Sequence, residues 1–96
     1  MATYITLINF TDQGIRNIKE SPNRYEAFKA MAEKAGGQVK GVYYTMGGHD
    51  MVIILEANDE AAMTALLKVG SLGNVRTETL RGVSLEEMKK ILAKLS

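Results

Sequence analysis

One histidine, four tyrosines and no cysteine bound the chemistry this chain can do. His49 sits in Gly47-Gly48-His49-Asp50, a few residues after Tyr43-Tyr44. An imidazole gives or takes a proton near neutrality, so general acid or base work is one reading of His49. Spacing identifies no nucleophile or base to act with it, and a partly exposed turn residue is the plainer reading. Consecutive strand residues face opposite ways, so His49 and Asp50 do not converge on one metal. A zinc site would also need thiolates or further imidazoles that the chain lacks. Neither a metal nor a cofactor is therefore expected.

Asp50 has a structural use: a carboxylate after a Gly-Gly turn can accept bonds from the turn's own N–H groups and fix it. Gly47-Gly48 supplies the turn, and no helix N-terminus follows it to make a phosphate cradle. Arg76 and Glu78 share one face of a later strand, with Thr77, Thr79 and Arg81 on the other. They read either as a solvated edge with a weak ion pair or as an anion site with the Arg76 fork at a subunit contact. Tyr43 and Tyr44 point to opposite faces, so one is expected in core or interface and the other beside a pocket. The candidate ligand site is thus His49, Asp50, Tyr44 and Arg76, around a crevice at the hairpin.

These residues must be held by a sheet. Thr3 to Phe10 and Met51 to Leu55 are strands apolar on both faces. Such strands need a cover on each side. Val39 to Met46, rich in Val and Tyr, reads as a strand forming a hairpin with the one that starts at Met51. Asn74 to Val83 is a more polar strand, as suits a sheet edge. Between these lie helical segments. Thr11 or Asp12 caps a short piece over Gln13 to Lys19, and Ser21-Pro22 starts an amphipathic helix that Gly36-Gly37 stops. Asn58 caps a helix that the Gly70-Ser71-Leu72-Gly73 loop closes. Ser84 and Glu87 form a capping box ahead of the stripe Leu85, Met88, Ile91, Leu92 and Leu95. That last helix is expected to pack on its own domain, with partner or membrane-surface binding as the competing reading.

The order β-α-β-β-α-β plus a C-terminal helix is the split βαβ of ferredoxin-like α+β folds, an antiparallel sheet with the two doubly apolar strands at its centre. Residues 1–96 make a single domain. Its helices can cover one sheet face, and a second copy of the sheet is the cheapest cover for the other, which predicts a homodimer or a multiple of it. Twelve Lys and Arg against eleven Asp and Glu leave no basic arm for nucleic acid. The apolar runs fall far short of the roughly 20 residues of a membrane span. No signal-peptide pattern opens the chain, so a cytoplasmic location is expected.

Thr11-Asp12-Gln13-Gly14, the hairpin Gly47-Gly48-His49-Asp50, and Gly73-Asn74-Val75-Arg76-Thr77-Glu78-Thr79 together resemble the GYD domain family over nearly the whole chain. His49 stands where that family's Gly-Tyr-Asp places its tyrosine. The resemblance implies a dimeric α/β-barrel of two ferredoxin-like sheets packed face to face. More distantly, Tyr43 through Thr79 is similar to the effector-binding domain of leucine-responsive regulatory proteins. That likeness implies dimerisation through sheets and small amino acids bound at subunit contacts. No helix-turn-helix pattern accompanies it here. The functional expectation is a non-catalytic, oligomeric binding or interaction module for amino acids or small metabolic acids. The alternative is a small cofactor-free enzyme of the dimeric α/β-barrel type, a monooxygenase or isomerase, which rests on fold analogy alone.

Overall fold

The computed structural model describes residues 1–95. Its elements run β1 (Ala2–Phe10), α1 (Asp12–Arg16), a 3-10 turn (Ile18–Glu20), α2 (Ser21–Lys34), β2 (Gln38–Tyr44), β3 (Met51–Ala57), α3 (Asp59–Ser71), β4 (Val75–Gly82) and α4 (Leu85–Leu92). The strands form one antiparallel sheet in the order β2-β3-β1-β4. The two doubly apolar strands are the central pair, and the polar Arg-Thr-Glu-Thr strand is an edge. This is the expected ferredoxin-like arrangement.

Burial alternates strictly along β3: Met51, Ile53, Leu55 and Ala57 are buried, while Val52, Ile54 and Glu56 are half-buried. The buried set, with Thr6, Ile8 and Val75, lies under Phe28 and Ala32 of α2 and Ala61, Ala62 and Ala65 of α3. Three alanines on the inner face of α3 let its backbone come close to the sheet. The register sets Ile5 opposite Ile54 and Leu80, and Leu7 opposite Val52 and Glu78, on the other face. Tyr43 pairs with Val52 and joins them. Among the described residues nothing packs over this second face, which stays apolar and open.

Local chemistry explains most of the boundaries. Thr11 caps α1 by accepting from Gly14 N–H, and Asn58 caps α3 by accepting from Ala61 N–H at 2.8 Å. The Ser84–Glu87 capping box is present in both directions. Ser21 departs from its expected role. It sits in helical conformation as the first residue of α2 and makes no cap, because the 3-10 turn runs straight into the helix and supplies the Ile18 carbonyl to its N–H. Its buried hydroxyl instead meets the Tyr44 hydroxyl at 2.8 Å.

The C-terminal helix also departs from expectation. Every residue of α4 is exposed, and its stripe Leu85, Met88, Ile91, Leu92 and Leu95 is 39 to 71 % accessible. The stripe is not buried on its own domain. The cap starts the helix beyond the end of β4, and the chain then leads it away from the sheet, giving the molecule a long dimension of 52 Å.

Candidate functional site

The hairpin connecting β2 to β3 is tied to the far end of β1. Gly47 takes a positive φ of 108°, which lets the chain reverse without a side-chain clash. Thr45 N–H donates to the Asp50 carbonyl at 2.9 Å, and the Thr45 hydroxyl donates to the His49 carbonyl at 2.6 Å. Asp50 N–H then donates to the Ile8 carbonyl at 2.8 Å, extending the β1–β3 ladder by one bond.

The Asp50 carboxylate does not bond to the turn's own N–H groups. Its Oδ2 accepts from Phe10 N–H at 2.9 Å, across to β1. It still anchors the hairpin, but to a neighbouring strand, because the turn folds over the end of β1 and brings that donor within reach. Asp50→Ala would leave the part-buried Phe10 N–H unpaired and should lower stability by about 1–3 kcal/mol. Asp50→Asn keeps an acceptor and should lose well under half of that. Urea melts of the two variants decide it: equal midpoints for Asp50→Ala and wild type would remove this role.

His49 is half-buried beside Asn9, with its Nδ1 2.9 Å from Asn9 Oδ1. The Asn9 amide donates from Nδ2 to the Gly48 carbonyl at 2.9 Å, so its Oδ1 is the acceptor toward the ring. That assigns the proton of a neutral His49 to Nδ1 and leaves Nε2 as a free acceptor. Arg76 is the β4 residue directly opposite Asn9, on the same open face, and it is exposed. Among the described residues the Lys89–Glu86 contact is the ion pair, so neither Arg76 nor Glu78 is paired. His49 and Arg76 thus flank Asn9 at one end of the open sheet face.

Tyr44 does not join them. It pairs with Met51 on the helix-covered side, where it bonds to Ser21, while Tyr43 lies on the open side. The expected division of the two tyrosines between faces holds, and the residue beside the His49 face is Tyr43. Asn9 is the member that spacing alone does not single out. Its signal is an amide, disfavoured in strands, within an otherwise apolar strand end. Among the described residues no three His, Asp or Glu side chains gather as a metal site would require.

The two other segments that carried the family resemblance are in contact. Thr11 N–H donates to the Asn74 carbonyl at 3.1 Å, and its hydroxyl donates to the Gly73 carbonyl at 2.6 Å. Gln13 Nε2 reaches the Leu72 carbonyl at 3.1 Å and Asn74 Oδ1 at 2.8 Å. These residues clamp the start of α1 to the loop before β4, which is a structural use of both segments.

Comparison with known proteins agrees with this architecture. A GYD domain family model matches residues 4–92. A Thermus thermophilus protein, named glutamine synthetase and cystathionine beta-lyase binding protein, is 31% identical over 90 residues, or 92% of this chain and 95% of that protein. A crystal structure of a Thermus thermophilus protein superposes with a TM-score of 0.55 at 28% identity, covering 88% of this chain and 95% of the other. The feast or famine regulatory protein of M. tuberculosis, solved with L-methionine, gives a TM-score of 0.65 at 19% identity. That match covers 88% of this chain but 51% of the regulatory protein, so the likeness is one of fold to about half of it. With its sheet order, its hairpin and its interlocked segments accounted for, the chain belongs to the GYD domain family.

Proposed function

We propose that this chain is a non-catalytic binding module that pairs through its open sheet face and binds a small zwitterion or acid at the end of that face. The observation that carries the reading is the open face itself. Ile5, Leu7, Val52, Ile54, Tyr43 and Leu80 form a contiguous apolar surface, and His49, Asn9 and Arg76 lie at its end. A second copy is the simplest cover for such a surface, and it would convert the polar end into a crevice. Within that crevice Arg76 can take a carboxylate as a two-pronged donor, and His49 Nε2 can accept from an ammonium group. Together they complement an amino acid.

A methionine complex is a property of the regulatory protein and not of this chain, but it makes amino acids the first compounds to test. The decisive experiment is a thermal-shift screen of amino acids and small metabolic acids, followed by calorimetry on wild type and on Arg76→Gln. Stabilisation by one of them without turnover, weakened about tenfold or more by Arg76→Gln, is the expected result. No response across the set, or equal affinity in the variant, would sink the site. Consumption of a quinol or lactone would favour the small cofactor-free enzyme.

A second reading has one observation in its favour. The relative that is 31% identical is named for binding two enzymes, and α4 here presents an uncovered apolar stripe. Docking on an enzyme partner would use that stripe.

A further inference from the structure

On the side of the sheet away from His49, α2 and α3 do not close fully over the strands. The alanines of α3 bring its first turns down to the sheet, but Leu66 and Val69 in its second half remain half-buried. Below them is a cavity of about 220 Å³, walled by Ile8, Phe28, Met31, Ile53, Leu66 and Val69. Two of its walls are the methionines Met31 and Met51, whose flexible thioethers can reshape to an occupant.

The buried polar side chains of its lining, Thr6 and Ser21, are already engaged. Thr6 Oγ1 is 3.0 Å from Thr79 Oγ1, and Ser21 Oγ is 2.8 Å from the Tyr44 hydroxyl. Among the described residues no buried side-chain N or O lacks a partner. Its buried part offers water little to bond to, and an apolar cavity of about 150 Å³ is already large enough to take a benzene ring. Charge appears only where the cavity meets solvent. Arg24 is half-buried and Lys68 exposed, both line the cavity, and no Asp or Glu does. Arg24 donates to the carbonyls of Asn17 and Gly14 at 3.0 and 3.3 Å and has no carboxylate partner among the described residues.

We propose that this cavity is a ligand site for a small carboxylate with an apolar tail, the tail lying between α2, α3 and the sheet and the carboxylate at Arg24 and Lys68. The site needs neither the sheet-to-sheet pairing nor the His49 cluster, so it stands or falls separately from them. Dispersion and water exclusion hold the tail, and the two cations select an acid over an alcohol or amine of the same length.

Octanoate, 1-octanol and octylamine share a tail and differ in the head group, so titration calorimetry with all three tests the assignment. The full chain should bind one octanoate per protomer with a Kd on the order of 10–100 μM, well within the bounds for a ligand of about ten non-hydrogen atoms. Octanol should bind about tenfold or more weakly, and octylamine weaker still. Val69→Phe fills the cavity from α3 and should abolish octanoate binding while melting as a single cooperative transition. Lys68→Gln, at an exposed position that the fold does not use, should weaken octanoate severalfold and leave octanol unchanged. Absence of octanoate binding would overturn the proposal, as would equal affinity for the three head groups. Wild-type octanoate affinity in a folded Val69→Phe variant would also overturn it. Should Val69→Phe fail to fold, the Lys68→Gln contrast between octanoate and octanol decides alone.

Discussion

Leu7→Lys combined with Ile54→Lys is expected to dissociate the assembly and leave the protomer folded. Light scattering of the wild type at micromolar concentration should give twice the 10.5 kDa chain mass or a multiple of it, and the double variant should give the chain mass. Leu7 and Ile54 lie on the two central strands, on the face away from α2 and α3, so lysines there are solvated in a lone protomer. In a face-to-face pair they would sit near the middle of the contact, where the two at position 7 have Glu78 across the strand pair and the two at position 54 are charges without partners. Each unpaired buried charge costs several kcal/mol, so even partial burial should raise the dissociation constant by more than about a thousandfold. The gain they must overcome is smaller per residue. Ile5, Leu7, Val52 and Ile54 are already half-buried by their neighbours, which leaves about 1 kcal/mol each to be won on full cover. A well-behaved wild-type monomer at 10.5 kDa would end the pairing proposal. A double variant that stays dimeric would move the contact elsewhere, with the α4 stripe the next surface to substitute.

The same contrast shows what was legible in the sequence. A strand apolar on both faces is visible one chain at a time, and so the central position of β1 and β3 can be read before any coordinates. Caps are legible for the same reason: Thr11, Asn58 and the Ser84–Glu87 pair act within four residues of themselves. What cannot be read is where a side chain goes when its partner is distant or outside the chain. Ser21 has the right type for a cap, but the 3-10 turn before it removes the need, and its hydroxyl finds Tyr44, 23 residues away. Asp50 has the right type for a turn acceptor, yet its donor is Phe10, 40 residues back. Proximity in sequence places Tyr44 with His49, and strand alternation puts it on the other face. The stripe of α4 is plain in the sequence, but among the described residues nothing covers it, so periodicity alone assigns it to the wrong surface. The cavity under α3 leaves no trace in the sequence, because a gap between alanine and leucine turns is a property of packing.

Gly14→Ala should be the most damaging single methyl in the protein. Helix propensity argues the other way, since alanine is favoured over glycine in a helix by about 1 kcal/mol. Gly14, however, is the buried residue of α1, and it lies directly against the backbone of Asn74. A methyl built there would fall well inside van der Waals contact distance of the Asn74 carbonyl oxygen and 2.9 Å from its carbonyl carbon. Both sides of that contact are backbone, so neither can swing aside. The start of α1 would have to lift from the loop, stretching the Thr11 bonds to Gly73 and Asn74 and the Gln13 bonds to Leu72 and Asn74 together. Overpacking commonly costs about 1–3 kcal/mol, and rigid backbone with four dependent hydrogen bonds puts this site at or above the upper end. Gly70→Ala is the matched control. Gly70 lies in the last turn of α3 with no atom near the position a methyl would take and without a positive φ, so propensity should win and stability rise by about 0.5–1 kcal/mol. Urea midpoints of the two variants should therefore move in opposite directions. If Gly14→Ala melts at or above the wild-type midpoint, the clamp between α1 and the loop before β4 is not what holds those elements together.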